Sequence, residues 1–205
     1  MALFTLANWP LLFVSAAMVV AAVIDGWKLK VPNWLTLPLI VSGWVLGLLH
    51  NCGLLEGTGE GGIGAALAGT ALGFALLLPV YAIGGMGAGD VKMQMGFGSW
   101  VGAFYGAFES EEPVAHPGGL WIILIAFCVA VIVGGFLAAG MIVLRGQFRR
   151  NLDNTRAILG DLVHAGGVGK VADNAKERKP RMHLLPYGIP LCIGFISYLI
   201  YLHGL

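Results

Sequence analysis

Charge is what this chain has least of. Asp, Glu, Lys and Arg together make up 11% of its 205 residues, against about 25% in an average soluble domain. From Gly61 to Gly89 there is no charged side chain at all. With 58% apolar residues, this shortage excludes an ordinary water-soluble globule and predicts an all-α, polytopic membrane protein. Cysteine is sparse too: Cys52, Cys128 and Cys192 stand far apart and form no Cys-x-x-Cys pair. That argues against a disulfide framework or a zinc site and leaves the three as packing residues. The histidines fall in predicted loops (His116, His164, His183) or at predicted span ends (His50, His203), without metal-ligand spacing. Neither a metal nor a cofactor is expected, and no Ser-His-Asp arrangement is evident. A net charge of +1 gives no case for nucleic acid as a partner. No basic residue precedes the first apolar run. That run is too long for a signal-peptide core and is expected to be a retained helix.

What is present is a series of apolar stretches. A bilayer core of about 30 Å needs about 20 helical residues, and the uncharged segments supply about six spans: 5–24, 33–49, 62–83, 93–108, 119–144 and 184–203. Glycines within them, as in Gly69-x3-Gly73 and Gly134-Gly135, predict close helix packing. All twelve Lys and Arg lie in three places: Lys28 and Lys30, Lys92, and the stretch from Arg145 to Arg181. The connections around 50–60 and 109–118 hold Glu56, Glu60, Glu109, Glu111 and Glu112 instead. Basic loops remain cytoplasmic, so both chain ends are expected outside, with the first, third and fifth connections inside. The whole chain, 1–205, is one membrane domain carrying a basic cytoplasmic loop at about 145–183. Within that loop Phe148, Leu152, Leu159, Leu162 and Val163 recur at roughly helical spacing, which suits either an interfacial amphipathic helix or a solvated basic loop. Its Gly166-Gly167-Val168-Gly169-Lys170 run is not a phosphate loop. His164 replaces the first required Gly, and Val171 stands where Ser or Thr would bind magnesium.

Two carboxylates occupy the membrane edge. Asp25 closes the first apolar run, and Asp90 closes the uncharged stretch in Gly85-Met86-Gly87-Ala88-Gly89-Asp90-Val91-Lys92. An ionisable group there is costly unless paired or hydrated, which makes it a functional-site candidate. Two neighbouring carboxyls cannot both ionise, so they can share one proton and divide the roles of general base and general acid. Gly87 and Gly89 are expected to supply positive φ or room for a substrate backbone near Asp90. Lys28, Lys30 and Lys92 are expected chiefly to snorkel. Pro32-Asn33 restarts the chain, with Asn33 as the expected helix cap.

These residues resemble the type IV prepilin peptidases. The run Gly85–Lys92 resembles that family's Gly-x-Gly-Asp motif, and Asp25 followed by Val31-Pro32-Asn33 resembles its first motif. Leu185-Pro186-Tyr187-Gly188-Ile189-Pro190 is similar to the Pro-Tyr-Gly element that opens its last helix. The resemblance implies an intramembrane aspartic endopeptidase with Asp25 and Asp90 as catalytic pair. Gly87, Gly89, Lys92, Pro32, Asn33, Pro186, Tyr187 and Gly188 would position the site or the substrate. The substrate would be a prepilin-like protein that loses a basic leader at the cytoplasmic face of the cell membrane. Lacking the paired Cys-x-x-Cys motifs of bifunctional members, the chain resembles short peptidase-only forms, such as those of tight-adherence pili and archaeal preflagellin peptidases. Cleavage without N-methylation is therefore expected. Two alternatives stand beside this reading. One is a presenilin-like Gly-x-Gly-Asp protease, although Asp25 follows Ile24 rather than Tyr. The other is a small proton- or cation-coupled transporter, although no internal repeat is visible.

Overall fold

The computed structural model describes residues 8–55, 58–82, 85–108, 117–145 and 186–203. These residues form six helices and no strand: α1 (Trp9–Lys28), α2 (Asn33–Asn51), α3 (Ile63–Ala82), α4 (Ala88–Tyr105), α5 (Gly119–Arg145) and α6 (Gly188–Leu202). The protein is an all-α polytopic membrane protein. Among the described residues, four helices are long and apolar enough to cross a bilayer: α1, α2, α3 and α5, with mean hydropathies of 1.9, 1.3, 2.0 and 2.9. The shorter α6 is also apolar. The expected segment at 148–163, the phosphate-loop-like run, residues 56–57 of the first acidic connection and 109–116 of the second lie outside the described residues.

Helix α4 is the exception in composition and the centre of the bundle. It packs against all five other helices, while α6 packs chiefly against α5 and α1. Protein rather than lipid surrounds it, so it can hold Asp90, Gln94 and Ser99 as buried polar residues. Small residues let its neighbours close in. A Cβ on Gly69 would collide with the carbonyl oxygen of Gly98, and one on Gly98 with that of Gly69. A Cβ on Gly73 would lie 2.7 Å from the Gln94 carbonyl oxygen. The packing expected of Gly69-x3-Gly73 is therefore present, between α3 and α4. Of the other pair, Gly134 touches Pro190, but Gly135 meets nothing within 4 Å. Cys192 is buried as expected, whereas Cys52 and Cys128 are exposed, being on outward-facing positions that burial does not select.

Polar links tie the helices together. Trp100 Nε1 donates to Leu39 O at 2.9 Å, and Trp44 Nε1 donates to Thr70 Oγ1 at 2.9 Å. Such bonds contribute only about 0.6 kcal/mol each in a membrane bundle, so close packing does most of the holding. At one end His50 Nδ1 meets both Gly61 O and Ala103 O at 2.9 Å. That ring joins the end of α2 to the segments before α3 and at the end of α4.

Several helix limits differ from the expected ones, the start of α6 at Gly188 rather than 184 among them, and two of the differences move a carboxylate. The first helix continues through Asp25 to Lys28 instead of ending at 24. The fourth begins at Ala88, ahead of Asp90, instead of at 93. Cutting spans at charges fails here because a carboxylate buried by protein does not have to leave the helix. At the third position of α4 it is in fact favoured by the exposed N–H groups and positive end of the helix dipole.

Candidate functional site

Asp25 lies in the last turn of α1 and is 2% exposed. Its Oδ2 accepts a hydrogen bond of 2.9 Å from the backbone N–H of Gly188, the first residue of α6. Tyr187, at the cap position of α6, supplies no side-chain cap. The Asp25 carboxylate thus takes one of the free N–H groups that every helix start leaves, and does so from a different helix. Gly188 permits the contact: a Cβ there would lie 3.0 Å from both Cβ and Oδ2 of Asp25.

Asp90 is 6% exposed, and its Oδ2 accepts a 3.2 Å hydrogen bond from Gly87 N. The Tyr187 phenol is within electrostatic reach of this carboxylate. Gly188, the first residue of α6, thus binds Asp25, and Tyr187 just before it lies within electrostatic range of Asp90. Pro186 begins this element, its carbonyl accepting from Ile189 N at 3.3 Å.

The two motifs around the carboxylates are also in contact. A Cβ on Gly89 would lie 2.7 Å from Val31 O and 3.0 Å from Val31 N. Lys92 Nζ donates to Asn33 Oδ1 at 2.9 Å. Both contacts correct expectations. Gly89 is not at positive φ; it lets α4 lie against the backbone of Val31. Gly87 has φ −85° and ψ 153°, an extended conformation open to any residue. Asn33 is not the cap of α2 either, because Pro32 holds that position. The Asn33 side chain is instead spent on Lys92, whose stem carries its ammonium to a specific acceptor as well as toward the surface.

One feature of the first motif carries no sequence signal. Leu29 has φ 51° and ψ 33°, the one non-glycine residue with positive φ among those described. Its N–H donates to Asp25 O at 2.8 Å and ends α1. A left-handed leucine costs about 1–2 kcal/mol, and such strain persists where surrounding structure over-determines it. A second feature had a signal that went unused. Gln94, one turn beyond Asp90, is a primary amide within an expected apolar span, and it is 0% exposed.

Residues 12–142 match the type IV leader peptidase family. The chain belongs to that family. The matched region takes in Asp25, Val31-Pro32-Asn33 and the whole run from Gly85 to Lys92, and stops short of Pro186-Tyr187-Gly188. No curated protein and no solved structure matches the chain significantly. Membership in the leader peptidase family makes the chain a peptidase, and its apolar helices make it a membrane peptidase.

Proposed function

We propose that this leader peptidase is an aspartic endopeptidase with Asp25 and Asp90 as its catalytic pair. It removes the basic leader from a prepilin-like protein at the cytoplasmic face of the cell membrane and does not methylate the product. The observation that carries the reading is the start of α6: Gly188 binds Asp25, and Tyr187 just before it lies within electrostatic range of Asp90. Both carboxyls thereby neighbour the same short segment, which suits two groups that must act on one bond.

In the reaction the ionised carboxylate takes a proton from water as the water oxygen attacks the scissile carbonyl carbon. The protonated partner gives its proton to the carbonyl oxygen. Collapse of the tetrahedral intermediate breaks the C–N bond, and the leaving nitrogen receives a proton from the pair. The product is a free carboxylate on the leader and a free amine on the mature chain. Gly87 N–H on Asp90 and Gly188 N–H on Asp25 orient one oxygen of each carboxyl. Gly89 with Val31, and Lys92 with Asn33, hold the two motifs in register. Pro32 and Pro186 set the chain direction into α2 and α6.

The orientation rests on charge. By the alternation of the spans along the sequence, Lys28, Lys30, Lys92 and the basic stretch from Arg145 to Arg181 are assigned to the same side as both aspartates, and basic segments stay cytoplasmic. A basic leader is held on that same face by the same rule. Methyl transfer needs a site for a soluble cofactor, for which the chain has no counterpart of the paired Cys-x-x-Cys domain. Co-expression with a prepilin, in a host lacking its own prepilin peptidase, tests the whole reading by mass spectrometry of the mature pilin. An unmethylated new N-terminus supports it. A retained leader, or a methylated terminus that depends on this protein, overturns it.

A further inference from the structure

Gln94 is fully buried, and neither its amide nitrogen nor its amide oxygen has a hydrogen-bond partner among the described residues. Such a group is destabilising where it stands, since a leucine of similar size would fill the same space without it. The position is well fixed: the Gln94 backbone packs against Gly73 of α3. Four residues separate it from Asp90, which puts both on one face of α4. Helical side chains lean toward the helix N-terminus and cover the preceding turn, and for Gln94 the preceding turn is the one that carries Asp90. One turn further on the same face, Phe97 closes against Phe195 of α6, their ring centroids 3.4 Å apart. The polar part of this face thus runs from Asp90 to Gln94 and stops there.

Resting on the aspartyl peptidase reading above, we infer that Gln94 is a substrate-positioning residue that binds the main chain of the cleavage segment. Hydrolysis at a membrane edge needs the scissile peptide in an extended form. Unwinding frees N–H and C=O groups of the substrate, and in lipid each must find a protein partner. A primary amide carries an NH2 that donates and a C=O that accepts, so it can pair with both the C=O and the N–H of a peptide backbone. Gln94 lies about 6 Å further along the helix than Asp90, at about 1.5 Å per residue, so it meets the residues just after the cut, where the substrate's apolar helix begins. Its ligand is therefore backbone, and it holds this segment whatever apolar side chains it carries.

The test uses the full-length protein in detergent or vesicles with a purified prepilin, comparing wild type, Gln94→Leu and Gln94→Met. Both variants are expected to keep or raise Tm, because they remove an unpartnered buried amide. Their KM is expected to rise roughly tenfold, the size of one to two net hydrogen bonds, with kcat within about twofold, the pattern of lost ground-state binding. A KM within about twofold of wild type in both variants overturns the inference, as does a fall in Tm with KM unchanged. A loss confined to kcat also overturns it, since that would place Gln94 in the chemical step. If one variant fails to insert, the other is judged by the same criteria. Wild-type protein that does not cleave prepilin, or full cleavage by Asp25→Asn and Asp90→Asn, refutes the underlying reading instead, and that outcome is visible before either Gln94 variant is measured.

Discussion

Gly188 N–H and Asp25 Oδ2 meet at 2.9 Å in a buried position, joining the start of the last helix to the end of the first. The bond gives Asp25 a part in stability that is separate from any part in chemistry. Substitutions can tell the two apart.

Asp25→Asn keeps an oxygen that accepts from Gly188 and keeps side-chain volume. It is expected to insert and to melt within a few degrees of wild type, yet to leave the prepilin uncleaved. Asp25→Ala is expected to lose activity and also about 1 kcal/mol of stability, the usual cost of losing a helix cap. Gel mobility of co-expressed prepilin, with thermal melts of the purified variants, separates the roles. Full-rate cleavage by Asp25→Asn would end the aspartyl-pair reading.

Gly188→Ala introduces a methyl 3.0 Å from Asp25 Cβ and Oδ2. The carboxylate must shift or the hydrogen bond must lengthen, with an expected loss of about a hundredfold in kcat and about 1–3 kcal/mol in stability. Gly89→Ala meets the Val31 backbone at 2.7 Å, which yields less readily than a side chain, so it is expected to be the less stable of the two. Equal stability of both variants and wild type would contradict the packing.

The Lys92–Asn33 hydrogen bond predicts coupling between the two motifs. Lys92→Met, Asn33→Leu and the double variant should give an interaction of about 0.5 kcal/mol in stability. Activity should fall to a similar level in all three, because either single change already releases the clip. Additive losses of activity would mean that the two residues act separately.

The charge distribution predicts the sidedness. Single cysteines at positions 58 and 170, in a background lacking Cys52, Cys128 and Cys192, are to be probed in intact cells with a membrane-impermeant reagent. Position 58 is expected to label and position 170 to stay protected until lysis. The reverse pattern would put the aspartates on the face away from a cytoplasmic leader.

Much of this bundle was legible because lipid imposes a simple rule: an uncharged run of adequate length must become a helix with its backbone bonded internally. That rule finds α2, α3 and α5 nearly to the residue. It misplaces the end of α1 and the start of α4 because Asp25 and Asp90 answer to protein surroundings rather than to lipid. Both aspartates stood out as costly charges, yet the partner of Asp25 is a backbone N–H far along the chain, and a backbone group leaves no mark in a sequence. The same holds for Gly89: a glycine signals that something approaches closely, and only the fold shows that it is Val31. Leu29 gave no warning, since leucine is among the residues least suited to a left-handed turn.

Helix α4 has a bearing on biogenesis. With Asp90, Lys92 and Gln94 in its first two turns, it is poorly suited to partition into lipid by itself when it leaves the translocation machinery. Its glycines at 98 and 102 fit against α3, the segment made just before it, so the two can enter as a preformed hairpin whose polar groups are already shielded. The last helix, whose Gly188 binds Asp25, is synthesised last. Until it docks, Asp25 lacks its backbone donor, and on the proposed mechanism a nascent copy would be inert toward the membrane proteins being inserted beside it.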